Sequence, residues 1–206
     1  MSPVRVPHIR GFLSAKDLRY AGAGMERGVY HIASSPGLLA KVVKPGKGEA
    51  DLACFREFRA YRNAGWPVAP IPKLYGAQVT EFGKAQIVDA ILSPDGELGP
   101  TLYEVAESGA LTERHLMDLN AFVDAVYRLR LTAFRFAPQN VVFGARFSDR
   151  RSGFFIVDGF GDRQRFSRKE LFARKRSRYL DDAMRRIEMR IGLPWDPAAR
   201  TFSNVK

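Results

Sequence analysis

The chain has 206 residues, of which 46% are hydrophobic, and it carries a formal net charge of +11. This length is enough for one sizeable core or for two small lobes that share a cleft. No apolar run is long enough to cross a bilayer, so we expect no transmembrane segment. Cys54 is the only cysteine, which excludes an intramolecular disulfide or a cysteine metal cage and leads us to expect a reducing, cytoplasmic location.

The positive charge is concentrated towards the C-terminus. Residues 163–190 contain eleven lysines and arginines against four acidic residues, a net of +7. A basic patch of this kind favours phosphate-bearing partners such as a nucleotide, nucleic acid or an anionic membrane surface. Most basic helices are solvated outer faces, however, so nucleic acid is a possible partner but not the favoured one.

The first part of the chain predicts an extended arm, up to about residue 15, followed by a glycine-rich hairpin. Its glycines include Gly22, Gly24 and Gly28. Glycines at this density let backbone N–H groups approach an anion without a Cβ in the way, as in nucleotide phosphate loops. A short G-x-G pattern is also typical of a tight turn, so this segment alone does not decide between the two readings.

Lys41 lies inside an apolar strand that we predict for residues 38–43. The helix predicted next, at 49–64, carries Glu57 at the centre of a stripe of small and apolar residues. Because an unpaired buried carboxylate is unfavourable, Lys41 is the natural counter-ion of Glu57. The alternatives are a solvent-facing lysine and a surface pairing of Glu57 with a neighbouring arginine.

Residues 73–79 and 85–92 predict a second hairpin, and the segment Ser93-Pro94-Asp95-Gly96 then breaks the pattern. Strands dominate before this break, and helices dominate after it. Thr112 is the predicted cap of a helix that continues to Leu131.

The last elements predicted are a hairpin and a basic helix. Two apolar runs, 141–147 and 154–157, flank a polar turn and predict an antiparallel hairpin, while residues 169–191 predict a basic amphipathic helix. With Asp149 at the centre of the turn, cross-strand pairing brings Asn140 and Asp158 side by side at the open end. An amide oxygen and a carboxylate that converge suit a hard cation, Mg²⁺ above all. Two ordinary turn residues are the alternative.

Taken in order, these residues resemble the protein-kinase-like fold, with its Gly-rich loop, strand lysine, helix glutamate, hinge, catalytic-loop asparagine and metal-binding aspartate. More closely, the chain resembles the bacterial PhoP regulatory network (YrbL) family, a compact kinase-like group. The matching segments are FREFRAY around Glu57, IPKLYG at 71–76, VDAILSPDG before the break, PQN at 138–140 and VDGFGD at 157–162.

The resemblance implies an α+β, two-lobed fold with an N-terminal antiparallel sheet, one helix beside it, and a shortened, mostly helical C-terminal lobe. The expected units are an arm at 1–15, an N-lobe at 16–92 and a C-lobe at 93–206. It also implies ATP and Mg²⁺ as cofactors, and a nucleotide and an unidentified small-molecule or phosphate-bearing acceptor as partners.

Roles for individual residues follow from the same resemblance. Lys41 would hold the α- and β-phosphates and pair with Glu57, and Asn140 and Asp158 would hold Mg²⁺. The loop glycines Gly22, Gly24 and Gly28 would bind the cofactor, as would the backbone of Asp89, Ala90 and Ile91, where the adenine would lie.

One departure from the kinase pattern concerns catalysis. A kinase catalytic loop carries an aspartate five residues before the metal-binding asparagine, and this chain has Arg135 there. Loss of a general base typically lowers a rate by roughly 10²–10⁴-fold. Asp162, beyond the glycine bend, is the candidate substitute. The resemblance therefore implies a weak small-molecule phosphotransferase or a pseudokinase-type regulator, and phosphorylation of proteins is not expected.

Overall fold

The computed structural model describes residues 11–24, 26–46, 70–129, 131, 136–159 and 173–204. Glu57, Arg135 and Asp162 lie outside these ranges, as does the helix predicted at 49–64. The strands are β1 (Leu18–Ala23), β2 (Arg27–Ile32), β3 (Leu38–Val43), β4 (Leu74–Thr80), β5 (Gly83–Asp89), β6 (Ile91–Leu92), β7 (Val141–Arg146), β8 (Ser152–Ile156), β9 (Trp195–Asp196) and β10 (Thr201–Phe202). The helices are α1 (Leu102–Glu107), α2 (Glu113–Arg128) and α3 (Ala173–Ile191).

Strands β1 to β5 form one antiparallel sheet in the order β1-β2-β3-β5-β4. The central strand, β3, has the sequence LLAKVV and is buried at its first five positions. A strand that is apolar on both faces is typical of the middle of a sheet, because both of its faces are covered. Leu13 of the N-terminal arm lies beside Thr80 at the end of β4. The antiparallel N-terminal sheet predicted from the sequence is therefore confirmed.

Strands β6, β7 and β8 form a second sheet, and it contains the predicted hairpin. Its register differs by one residue from the prediction. Val141 faces Ile156, so Asn140 lies opposite Val157 rather than Asp158. The Asn140 carbonyl accepts the Val157 N–H at 2.8 Å. Asn140 and Asp158 still lie at the open end of the hairpin.

The turn of this hairpin explains the difference in register. Four residues, 147–150, lie between the last hydrogen-bonded pair, because the Arg146 N–H donates to the Arg151 carbonyl at 2.9 Å. The Arg150 N–H donates to the Arg146 carbonyl at 2.8 Å and closes the loop. An even number of loop residues places the centre of the hairpin between Ser148 and Asp149, not on Asp149. Arg150 has φ 56°, a left-handed conformation that lets the chain reverse here.

The second lobe is mostly helical. Thr112 caps α2 as predicted, with its hydroxyl accepting the His115 N–H at 3.3 Å, although the helix ends at Arg128, before the predicted Leu131. Helix α1 is an addition to the predicted elements, and Thr101 and Glu104 form its capping box. In the described part of the chain no helix is both long and apolar enough to span a membrane.

The core of this lobe lies where α2, α3 and the β7–β8 hairpin meet. Its fully buried members include Leu119, Val123, Val126, Ile156, Met184 and Ile187. The short β9–β10 pair closes one side, because Asn120 of α2 donates to the Phe202 carbonyl at 3.0 Å and accepts the Phe202 N–H at 2.7 Å. The β7–β8 hairpin thus packs against the helices of this lobe, and its open end lies against the N-terminal sheet.

Candidate functional site

One face of the N-terminal sheet carries three buried polar side chains. Lys41 of β3 lies directly opposite Val29 of β2 and Gln86 of β5, and directly opposed residues share a face of a sheet. Arg27 precedes Val29 by two positions and therefore shares this face. Arg27, Lys41 and Gln86 are only 5%, 6% and 4% exposed. Buried polar groups need hydrogen-bond partners, and these partners define the site.

Lys41 makes a contact between the two lobes. Its Nζ donates to the backbone carbonyl of Val157, the residue after β8. Lys41 is buried, which excludes the solvent-facing alternative. The pairing with Glu57 stays a prediction, because Glu57 lies outside the described residues. Lys41 thus joins the centre of the N-terminal sheet to the open end of the β7–β8 hairpin.

Arg27 makes a second contact, to the next residue of the same segment. Its Nη2 donates to Asp158 Oδ1 in an ion pair, and its Nη1 donates to Gln86 Oε1 at 3.1 Å. The Gly159 N–H also donates to Asp158 Oδ1, at 2.9 Å. The Asp158 side chain is 41% exposed, whereas that of Arg27 is 6% exposed. A carboxylate open to solvent is therefore held by a buried guanidinium.

Arg27 and Gln86 were not among the site residues predicted from the sequence. A signal for Arg27 exists once the strands are paired. Val29 lies opposite Lys41, and Arg27 is two residues before Val29 on the same strand, so Arg27 lies on the same face as Lys41. Using that signal requires the pairing of three strands, whereas Lys41 stands out inside a single apolar strand. The two cations and the amide are found together only once the register is known.

The glycine hairpin lies against Asp158. A Cβ on Gly24 would lie 3.6 Å from Asp158 Oδ2, an ordinary van der Waals distance. A Cβ on Gly22 would meet no atom within 4 Å, while one on Gly28 would lie 2.9 Å from the Tyr30 ring. Of the three glycines, Gly28 is the one that packs against the Tyr30 ring, and Gly24 is the one that approaches the site.

The backbone of the segment expected to receive the adenine already makes hydrogen bonds to other parts of the protein. The Ala90 N–H donates to the Gly37 carbonyl at 2.8 Å, and the Ala90 carbonyl accepts the Phe147 N–H at 3.1 Å. The Ile91 carbonyl accepts the Gly99 N–H at 2.9 Å. Ala90 is fully buried. The Ala90 N–H can reach a ligand only if its bond to Gly37 is broken, whereas the Ala90 carbonyl already accepts one hydrogen bond and keeps a second lone pair.

The Asp89 side chain makes hydrogen bonds where the two lobes meet. Its buried carboxylate accepts hydrogen bonds from the Tyr75 hydroxyl at 2.8 Å and from the Ser148 hydroxyl at 2.5 Å. Burial raises the pKa of Asp89 above its ordinary value, and the two hydrogen bonds and the charge of Arg146 oppose that rise. The Asp89 side chain therefore connects β5 to the turn of the β7–β8 hairpin.

The raised pKa of Asp89 predicts a specific pH dependence of stability. Because its folded-state pKa is raised, the contribution of Asp89 is fully present below its unfolded pKa and is lost as the pH rises through the folded pKa. We expect the wild type to gain stability relative to Asp89→Asn between about pH 7 and about pH 4, measured by urea unfolding of both proteins. A difference that is constant or of opposite sign would contradict this.

The open end of the β7–β8 hairpin has the chemistry of a partial metal site. Asn140, which is half-buried, and Asp158 offer hard oxygen donors. No cluster of three or more His, Cys, Asp or Glu side chains occurs among the described residues. Mg²⁺ commonly keeps several waters and binds through one or two carboxylates together with substrate phosphates. The residues therefore fit a Mg²⁺ ion that arrives with phosphates, not one held by protein ligands alone.

Comparison with known proteins agrees with this architecture. A search of curated proteins found no match. The crystal structure of a kinase domain, PF14_0431, matches with a TM-score of 0.52 and 16% identity over 79% of this chain and 57% of that chain. A likeness at this identity shows the fold alone, which is kinase-like. The family model for PhoP regulatory network protein YrbL matches residues 13–191, and the chain belongs to that family.

Proposed function

We propose that this protein binds ATP with Mg²⁺ where the N-terminal sheet meets the open end of the β7–β8 hairpin. The observation that carries the proposal is the convergence of two buried cations, Arg27 and Lys41, on the adjacent residues Val157 and Asp158. Fixed positive charges beside a carboxylate and glycine backbone are the groups that Mg²⁺ and phosphates require together.

The cations suit phosphate for different reasons. Arginine presents a planar set of donors that matches phosphate oxygens, and lysine offers a compact point charge. Arg27 is already oriented by Gln86, so little ordering is needed when a phosphate binds. In this proposal the phosphates replace the Val157 carbonyl as acceptor for Lys41 and the Asp158 carboxylate as acceptor for Arg27.

An apolar cluster continues the same face of the sheet beyond Lys41. Leu39 precedes Lys41 by two residues and lies opposite Val88, and both pack with Ala90. We propose that the adenine base binds at this end, mainly by packing against apolar side chains. Backbone recognition at Asp89, Ala90 and Ile91 stays a prediction, and recognition through the Ala90 N–H requires that its bond to Gly37 is broken.

The absence of an acid from 133–140 favours a pseudokinase-type regulator over a weak small-molecule phosphotransferase. Arg135 stands where a kinase has its proton acceptor, and a fixed cation cannot take a proton. Asp162 stays the candidate substitute, and its position lies outside the described residues. The rate of phosphoryl transfer is therefore expected to be slow even when nucleotide binds.

Binding of nucleic acid or an anionic surface through the basic C-terminal segment is the alternative function. In the described part of α3, Arg178, Arg185, Arg186 and Arg190 are exposed. Asp181, Asp182 and Glu188 share that stretch and nearly balance its charge. Of the net +7 of 163–190, residues 163–172, which lie outside the described residues, carry +3, and residues 173–190 carry the other +4. No described contact favours this second function over the first.

The proposal predicts that Mg·ATP stabilises the protein against thermal unfolding. Ligand at about 100 times its Kd adds about 2.7 kcal/mol to the free energy of unfolding. We expect the largest rise in Tm with Mg·ATP, a smaller rise with ATP in EDTA, and almost none with Mg²⁺ alone. No rise at millimolar Mg·ATP, together with salt-sensitive binding of duplex DNA, would favour the alternative function.

A further inference from the structure

Arg27 holds the carboxylate that the metal would need. Its Nη2 is bonded to Asp158 Oδ1, while Gln86 fixes Nη1 of the same guanidinium at 3.1 Å. The Gly159 N–H donates to the same carboxylate oxygen at 2.9 Å. Oδ1 of Asp158 therefore already accepts one ionic and one neutral hydrogen bond from the protein itself.

The position of Arg27 opposes a bare metal ion. Arginine stays protonated at all working pH values, and Arg27 is only 5% exposed, so water screens its charge poorly. A divalent cation on the Asp158 carboxylate would lie close to this guanidinium and would be repelled by it. In the described residues, the open end of the hairpin offers too few carboxylates to offset that repulsion.

A phosphate-bearing ligand changes this balance. Phosphate oxygens are better acceptors for a guanidinium than one carboxylate oxygen, because they match its paired donors and carry more negative charge. Once the phosphates engage Arg27, the Asp158 carboxylate is released to bind the metal, and the phosphates provide further ligands to it. Arg27 can remain bonded to Gln86 during this exchange, since Nη1 makes that bond and Nη2 makes the bond that is exchanged.

We propose that Arg27 is a positioning residue that makes metal binding at Asp158 conditional on a phosphate-bearing ligand. This inference rests on the proposed function, because it takes the ligand to be ATP. Lys41 has a separate role, since it donates to the Val157 carbonyl rather than forming the ion pair with Asp158. The consequence is positive coupling between nucleotide and metal, beyond the affinity of the free nucleotide for metal.

The test measures binding of Mn²⁺, used as a probe for Mg²⁺, by electron paramagnetic resonance without nucleotide. Arg27→Gln removes the positive charge but keeps groups that can bond to Asp158 and Gln86. We expect it to bind Mn²⁺ alone roughly tenfold or more tightly than the wild type does. A variant that is only structurally damaged would lose affinity for Mn²⁺, so a gain of Mn²⁺ affinity identifies an effect of the Arg27 charge. Arg27→Met serves as a second variant if Arg27→Gln does not fold.

Two controls separate charge from general effects of substitution. Arg27→Lys keeps the charge and should bind Mn²⁺ alone as weakly as the wild type. Arg19→Met removes an exposed arginine from neighbouring β1 and should leave Mn²⁺ affinity unchanged. Equal Mn²⁺ affinity of wild type and Arg27→Gln without nucleotide would overturn the role of Arg27. Failure of the wild type to bind Mn·ATP would overturn the proposed function instead.

Discussion

Replacing Asp158 with asparagine is expected to remove most of the stabilisation that Mg·ATP gives to the wild-type protein. Asparagine keeps an oxygen that can accept the hydrogen bond from Arg27, so the unliganded fold should be largely preserved. It lacks the negative charge that a hard cation prefers in a ligand. The expected loss therefore concerns the metal-dependent part of binding.

The size of this effect follows from mass action. If affinity for Mg·ATP falls about 100-fold, ligand that stabilised the wild type by about 2.7 kcal/mol will stabilise the variant by only about 0.4 kcal/mol. Thermal shift should be measured for each protein with and without Mg·ATP, because any change in the unliganded Tm then cancels. ATP in EDTA should shift the variant at least as much as the wild type, because the charged carboxylate that competes with phosphates for Arg27 is gone.

Asp124→Asn is the matched control for the charge change. Asp124 lies on α2, its side chain is 74% exposed, and Arg128 Nε lies 3.8 Å from its carboxylate. Its substitution should leave the Mg·ATP shift unaltered. An Asp158→Asn protein that is stabilised by Mg·ATP as much as Asp124→Asn would show that Asp158 is not a metal ligand.

Local patterns in the sequence predict the elements that frame the site. The apolar run LLAKVV predicts a strand in which Lys41 shares one face with Leu39 and Val43, and the structure has that strand at the centre of the sheet. The two apolar runs about a polar turn predict the β7–β8 hairpin, and Thr112 predicts the start of α2. These features depend on neighbouring residues, and local physics is sufficient to find them.

Long-range pairing sets the features that the sequence analysis missed. The register of β7 and β8 depends on whether the turn has an odd or even number of residues, and a polar run such as FSDRRS does not reveal that number. Arg27 and Gln86 join the site only because β2, β3 and β5 align in one register. The hydrogen bonds that occupy Ala90 come from Gly37 and Phe147, both distant in sequence.

Replacing Arg146 with methionine is expected to produce the largest loss of stability. The Arg146 side chain is fully buried and lies over the Phe155 ring, 5.4 Å from its centroid. It donates to both carboxylate oxygens of Asp149, at 3.0 and 2.5 Å, and to the Ile71 carbonyl at 2.9 Å. Its guanidinium therefore joins the hairpin turn to the segment that precedes β4.

The expected cost is about 3 kcal/mol, at the lower end of the range for breaking one side of a buried ion pair. Methionine fills much of the same volume, but it leaves Asp149 and the Ile71 carbonyl without these hydrogen bonds. Asp149 is 29% exposed, so water can compensate for part of its loss. Loss of the hydrogen bond to the Ile71 carbonyl adds to the cost, because Ile71 is fully buried and water does not replace this bond.

Urea unfolding at neutral pH measures this cost, with Arg128→Met as the control. Arg128 also faces an aspartate, but at 3.8 Å and with 59% exposure, so its loss should change stability by less than about 0.5 kcal/mol. Burial alone would raise the pKa of Asp149, but the hydrogen bonds and charge of Arg146 hold it below its ordinary value. The stabilisation that Arg146 and Asp149 give the fold is therefore present above the unfolded-state pKa of Asp149, and it is lost as the pH falls through the folded-state pKa. Equal costs for Arg146→Met and Arg128→Met, or a difference that grows in acid, would contradict the role assigned to Arg146.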